Sequence, residues 1–231
     1  LAASQTTGVY TLPRLIAAFK ARHPGVDVSL QVENTRRCCA AVARGEADAA
    51  VVGGAIPPEL EHLLSVRPFA QDEVVVVVPP AHPAAAAAAA AGTGSIPVDA
   101  LPSLSYVSLH KSSTVQGVRA RLAEAGLDWR VLGVVLEVNS VEAIKAAVEA
   151  GLGAAFVSAA AVSKEVALGT LVALRVEGAE LSRMLWLVTD PGRHLPRAAR
   201  EFCAHECGGG NGQGGRLAAA GGGAAVAATC D

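Results

Sequence analysis

Leu136-Glu-Val-Asn-Ser-Val-Glu-Ala-Ile-Lys-Ala-Ala-Val-Glu-Ala-Gly-Leu-Gly-Ala-Ala-Phe-Val-Ser158 holds a strand, a cap, a helix, a stop and a second strand in one run. Val134, Val135, Leu136 and Val138 form an apolar, largely β-branched stretch, the pattern of a strand buried on both faces of a parallel sheet. It ends at Asn139. Ser140 is an N-cap residue, and Glu142 puts a negative charge where the helix dipole favours one. Val141, Ile144 and Val148 then fall on one stripe, Lys145 and Glu149 lie off it, and Gly151 supplies a left-handed stop. Ala154 to Val157 is short and apolar, and a right-handed crossover lays it parallel to the first strand. In such a unit the Asn139-Ser140 loop sits at the carboxyl edge of the sheet, beside a helix start with unpaired N–H donors. Small polar ligands bind at such corners.

Working outward, the first half of the chain repeats this plan. Val26, Val28, Leu30 and Val32 alternate as a strand, Asn34-Thr35 caps a helix, Gly45 ends it, and Ala49 to Val52 is a strand closed by Gly53-Gly54. What precedes each unit matches too. Ser4 to Thr7 comes before a helix marked by Leu12, Leu15, Ile16 and Phe19, stopped at Pro24-Gly25. Pro13 is tolerated only in a first turn, so that helix is expected to start near Tyr10 or Thr11. In the second half Ser112-Ser113-Thr114 precedes a helix from Val115 to Ala125, stopped by Gly126. The fold class is therefore α/β, with two βαβαβ lobes.

Between the halves, Val74 to Val78 reads as a strand running out of the first lobe, broken by Pro79-Pro80. Ala84 to Ala91, framed by Pro83 and Gly92, reads as an exposed low-complexity insert forming at most a short frayed helix. Leu171 to Val176 and Met184 to Val188 read as strands, the latter returning to the first lobe, and Leu195 to about Cys203 as a last helix. Residues 1–78 and 184–206 are assigned to lobe I and 79–183 to lobe II. The Gly/Ala-rich tail 207–231 lacks a burial pattern and is expected to be disordered.

Composition narrows the function. The 231 residues carry a net charge of -2 and show no basic stripe, so they offer no electrostatic footprint for a duplex. Hydrophobic residues make up 52%, yet no apolar run reaches the ~18 residues of a membrane span. The chain opens on Leu with no signal-peptide pattern and is read as a fragment or processed product. Five cysteines in a chain of this length make no disulfide framework and favour a reducing compartment, the cytoplasm or an organelle stroma. No nucleophile elbow, phosphate loop or placed carboxylate pair is present, and no catalytic residue, cofactor or metal is assigned.

Taken together, Thr7-Gly8, Leu12-Pro13, Phe19, Pro24-Gly25-Val26, Asn34-Thr35, Gly45, Asp48, Gly53, His82-Pro83 and the Asn139-Ser140-Val-Glu-Ala-Ile-Lys stretch ending in Gly151-Leu-Gly resemble the effector-binding domain of LysR-type transcriptional regulators. Gly192-Arg-His-Leu-Pro-Arg-Ala-Ala fits the closing helix, so the resemblance covers Leu1 to about Cys203. The poly-Ala insert, the Cys38-Cys39 pair and the Gly-rich tail are not family features. The resemblance implies a type 2 periplasmic-binding-protein fold with two crossing strands, a metabolite in the cleft, a homo-oligomer (dimer or tetramer), and DNA contact only through a helix–turn–helix preceding Leu1. The Asn-Ser-x-Glu-Ala-Ile-Lys stretch is most like the branch controlling carbon-fixation and sulfur genes, which implies a phosphorylated or carboxylated effector. A stand-alone solute-binding protein and a two-lobed transferase share the fold and remain alternatives.

The expected effector-binding set is Ser4, Thr6, Thr7, Asn34, Thr35, Gly54, Ser112, Ser113, Thr114, Asn139, Ser140 and Phe156. Its polar members put hydroxyl or amide groups at helix starts, where backbone donors and the dipole favour a small anion. Any one corner alone reads more simply as an ordinary cap. Arg36 and Arg37, in a first turn against the dipole, read as solvated arginines or as partners of an anion, and His110-Lys111 as ligand charge or wet loop. Cys38 and Cys39 read as buried and inert rather than redox-active. Cys203-x-His205-x-Cys207 lacks a fourth ligand for a metal.

Overall fold

The computed structural model describes residues 1–110, 112–205 and 207, and the backbone of 216 and 217. Lobe I opens with β1 (Ala2–Ser4), a π-helical turn (Thr7–Thr11) and α1 (Leu12–Arg22), followed by β2 (Gln31–Glu33), α2 (Thr35–Ala43), β3 (Ala49–Gly53) and the short α3 (Pro58–Glu61). β4 (Ser65–Val78) leaves it. Lobe II contains α4 (Pro83–Ala91), β5 (Ser95–Pro97), β6 (Ser105–Leu109), α5 (Ser113–Glu124), β7 (Gly133–Val138), α6 (Val141–Glu149), β8 (Ala155–Ser158), α7 (Ser163–Leu168) and β9 (Val172–Glu177). The chain returns through β10 (Ser182–Thr189) to α8 (Arg197–His205), and β11 (Arg216–Leu217) lies parallel to Gln71 and Asp72.

The repeat expected from the sequence is realised in the strand order. β1 lies between β2 and β3, parallel to both. β6 likewise pairs in parallel with β7 on one side and bridges Ala154, at the start of β8, on the other. Two strands carry the connection. β10 is antiparallel to β3 and to the first part of β4, while the second part of β4 pairs with β8 and β9 in lobe II. Each lobe has its own core: Leu12, Phe19, Val51, Leu187 and Phe202 in lobe I, and Val76, Leu101, Tyr106, Leu122 and Leu174 in lobe II.

Several expectations are corrected. α1 opens at Leu12 with Pro13 in its first turn, as expected, but helical turns already begin at Gln5 and run into it. The Leu12 N–H reaches back to the Thr7 carbonyl, so one wider turn carries the helix up to Pro13. Of the strand expected over Val26 to Val32, only Gln31–Glu33 joins the ladder; Val26, Val28 and Leu30 pack on the lobe I core from extended chain. The Ala-rich stretch is a regular helix. His82 caps it through Nδ1, 3.1 Å from the Ala84 nitrogen, and Ala85 and Ala88 enter the lobe II core.

The opening stretch holds the largest departure. β7 is an edge strand, not a doubly buried one: Val134, Val135 and Leu136 are 37%, 56% and 37% exposed. β6 separates it from β8, so the two strands are parallel without being neighbours. Lys145, although off the apolar stripe, is buried, within 2.8 Å of both Glu142 and Glu165. In the tail, Cys207 is buried in the lobe I core and Arg216–Leu217 pair with β4, against the expected disorder. The rest of 208–231 lies outside the described residues.

Candidate functional site

The gap between the lobes is a cleft of about 640 Å³. It is lined by Ser4 and Thr6 from the first corner, Asn34 and Thr35 from the second, Ser112, Ser113 and Thr114 from the third, and Asn139 from the fourth. All four polar corners thus open on one space, with contributions from both lobes. Each corresponds to the start of a helix whose first-turn N–H groups have no partner one turn back.

The side chains at three corners act as caps. Asn34 Oδ1 accepts from the Arg37 N–H at 2.9 Å, Ser112 Oγ from Thr114 and Val115, and Ser140 Oγ from Ala143 at 3.5 Å. The hydroxyls of lobe I brace the sheet edge: Ser4 Oγ accepts from the Gly53 N–H, and Thr35 Oγ1 donates to the Gly53 carbonyl. Such side chains orient the helix starts and leave ligand contacts to backbone donors.

Thr6 and Ser113 are different. Neither caps its helix, and both accept from Arg183: Nη2 to Thr6 Oγ1 at 3.1 Å and Nη1 to Ser113 Oγ at 3.0 Å. Arg183 stands at the start of β10, in register with Asp72 of β4, and its Nε donates to Asp72 Oδ2 at 2.8 Å. Asp72 is 1% exposed and accepts a second bond from Ser158 Oγ at 2.5 Å. A buried charge is tolerated when paired and hydrogen-bonded, as here. The guanidinium forms part of the cleft lining at the point where the chain crosses between lobes.

Four of the expected residues lie away from the lining. Thr7 is fully buried and donates to the Ser4 and Val51 carbonyls. Phe156 stacks on Tyr106, ring centroids 5.2 Å apart, inside the lobe II core. Ser140 is occupied as a cap. Gly54 approaches the opposite lobe: its φ is +81°, and a Cβ there would stand 2.5 Å from Ser113 Cβ. Only glycine combines that backbone conformation with so close a contact.

Sequence reasoning missed Arg183, Gln5 and the second interlobe contact. Gln5 Nε2 donates to the Asn139 carbonyl at 3.3 Å, and the Tyr10 hydroxyl donates to Glu142 Oε1 at 2.5 Å. Burial and the Glu142 bond push the Tyr10 phenol up. Hydrogen bonds from Lys145 and then Tyr10 hold Glu142 below the ordinary carboxylate range. Arg183 had one available signal, a lone arginine at the head of an apolar strand, but its partner is far away in sequence.

Of the remaining candidates, Arg36 pairs with Glu59 and lines the cleft, and Arg37 pairs with Glu33 at 3.2 Å. His110 also lines the cleft, with Nδ1 3.3 Å from Glu137 Oε2, whereas Lys111 lies outside the described residues. Cys38, Cys39, Cys203 and Cys207 are free and buried. Burial pushes the thiols of Cys38 and Cys39 up to about 11. No group of metal-ligating side chains and no helix long and apolar enough to cross a membrane occurs among the described residues.

Comparison with known proteins agrees with this architecture. Residues 1–205 match the model of the LysR substrate binding domain. A probable RuBisCO transcriptional regulator of Cyanophora paradoxa is 43% identical over 203 residues, covering 87% of this chain and 61% of the relative. Its counterpart in Cyanidioschyzon merolae is 44% identical over 204 residues, covering 88% and 65%. The chain therefore spans under two thirds of the length of these relatives. The regulatory domain of CcmR from Synechocystis PCC6803, solved in complex with 2-PG, superposes with a TM-score of 0.74 at 28% identity, covering 90% of this chain and 94% of that one. The effector-binding domain of QuiR, solved with shikimate, shares the fold at a TM-score of 0.73 and 18% identity, covering 89% and 93%. With two βαβαβ lobes, two crossing strands and a family match over nearly its whole described length, the chain belongs to the LysR substrate-binding domain family.

Proposed function

We propose that this domain is the effector-sensing part of a LysR-type DNA-binding transcriptional regulator, and that its effector is a small anionic metabolite held between the lobes. The convergence of four helix starts from both lobes on one cleft carries this reading, because oriented N–H donors and helix dipoles favour a negative group. The 2-PG complex of the CcmR domain supports a phosphorylated or carboxylated ligand. Ser4, Thr6, Asn34, Thr35, Ser112 to Thr114 and Asn139 are the proposed contacts.

Signalling then follows from linkage. A ligand that touches both lobes favours the arrangement in which both can reach it, and shifts the population toward that arrangement. DNA is contacted through a segment outside this chain, in an assembly of two or four copies located in the cytoplasm or an organelle stroma. The relatives are regulators, which does not favour the transporter reading, and the site is read as one of binding without turnover.

Calorimetry and thermal shift with inorganic phosphate, sulfate, shikimate and 2-PG test the reading. Ligand at a hundredfold over its dissociation constant stabilises the fold by about 2.7 kcal/mol, so at least one of these anions should raise Tm by several degrees. If none binds at millimolar concentration, the cleft is not the sensor.

A further inference from the structure

We propose that Arg183 sets the cleft's preference for anions by aiming one hydroxyl from each lobe, Thr6 and Ser113, as donors at the same oxyanion of the effector. This rests on the reading of the cleft as an effector site and assigns the chemistry that selects the ligand there. Arg183 is a positioning residue, acting through the two hydroxyls.

A hydroxyl carries one O–H donor and two acceptor lone pairs. Arg183 occupies a lone pair on Thr6 Oγ1 and another on Ser113 Oγ, so the O–H of each must point elsewhere. No acceptor for either O–H is found among the described residues, and both side chains line the cleft. Two oriented donors, one per lobe, therefore lack acceptors in the space the effector would enter. A carboxylate, phosphate or sulfate offers only acceptors to such a pair. An ammonium group, which can only donate, would leave both O–H protons without an acceptor.

The orientation depends on a fixed guanidinium. Asp72 holds Nε from the neighbouring strand, Ser158 holds Asp72, and Arg183 itself is 8% exposed, so the fork cannot swing. Its planar geometry bonds two hydroxyls at once; a lysine ammonium on a flexible stem is a single point charge. Because Asp72 neutralises the arginine, selectivity comes from aimed donors rather than from net charge. Gly54 contributes by lacking a Cβ, which would collide with Ser113 and displace its hydroxyl.

The test is a binding cycle on the whole chain, with inorganic phosphate and 2-PG as probes, in Thr6→Val, Ser113→Ala, the pair variant Asp72→Asn with Arg183→Gln, and their combinations. Circular dichroism checks folding. The pair variant removes both charges together, because removing one would leave the other buried and alone. The pair variant should bind about 100-fold more weakly. Each hydroxyl deletion should cost about tenfold in the native background but under about threefold in the pair variant, since without the guanidinium the hydroxyls are no longer aimed. Should the pair variant fail to fold, Arg183→Lys decides: a loss of about tenfold or more supports the assignment, and unchanged affinity overturns it. A folded pair variant that keeps native affinity, or hydroxyl losses that simply add, also overturns it while leaving the cleft reading intact. Failure of the native chain to bind either probe overturns this assignment, and the wider panel above then decides whether the cleft reading falls with it.

Discussion

Individual side chains in this domain behave according to burial rather than to sequence neighbourhood. Cys38 and Cys39 follow two arginines near a helix start, a setting that lowers thiol pKa values when the sulfur is accessible. Here desolvation wins and pushes both thiols up to about 11. We expect aromatic disulfide reagents at pH 8 to label the native protein slowly and the urea-unfolded protein at once; fast native labelling would show that α2 opens readily. Glu142 bears the opposite shift, held down by Lys145 and Tyr10. A carboxylate that binds its proton less readily when folded stabilises the fold above the unfolded value of about 4.3, and that contribution fades as pH falls through the depressed value. Denaturant titrations from roughly pH 6 to roughly pH 3, across the carboxylate range, should show a decline in stability that is smaller in Glu142→Gln. Parallel curves for the two proteins would mean that neither the Lys145 nor the Tyr10 bond to Glu142 persists in solution.

At the level of elements, the junctions between strands and helices are less tolerant than the helices themselves. Gly153 joins α6 to β8 at a φ of +144°, and a Cβ there would lie 2.4 Å from the Ser105 carbonyl oxygen of β6. Backbone cannot yield as a flexible side chain can. Gly153→Ala should therefore cost about 3 kcal/mol or more, from strain and from the displaced β6, read as a shift of the urea midpoint with an unchanged slope. A loss below about 1 kcal/mol would show that the β6–β8 bridge is soft. By contrast Gly92, Gly126 and Gly169 also have positive φ but open space where a Cβ would stand, so only the left-handed conformation is at stake there.

For the whole molecule, the exposed edges matter most. β7 has β6 as its sole partner strand among the described residues, and β2 has only β1, leaving an open edge on each lobe. Val32 on the first and Val134, Val135 and Leu136 on the second are exposed apolar residues, the kind of edge that pairs with another chain. For the proposed homo-oligomer we expect Val135→Lys to shift sedimentation toward the monomer without altering the circular dichroism spectrum. A native chain that remains monomeric at about 100 μM would remove these edges as the interface, since obligate interfaces hold far below that concentration.

The sequence by itself determined the order of the main helix–strand units and the two-lobed repeat, though not α3, β5, β6 or α7. Caps such as Asn34, Ser112 and Ser140, stops such as Gly45 and Gly151, and apolar periodicity all act within a few residues, so they are legible without knowing what lies across the fold. It also identified the four polar corners, because each is local to a helix start. Only the tertiary structure decided that these corners share one space, that Thr7 and Phe156 face inward, and that Lys145 is buried among carboxylates. It also revealed the pairing of Arg183 with Asp72, residues brought together by the crossing of β4 and β10 rather than by any short-range signal. An apolar run such as Val134 to Val138 records only that water is unfavourable there. Whether the same chain or a second copy provides the cover depends on three-dimensional placement, because burial is a property of position in space.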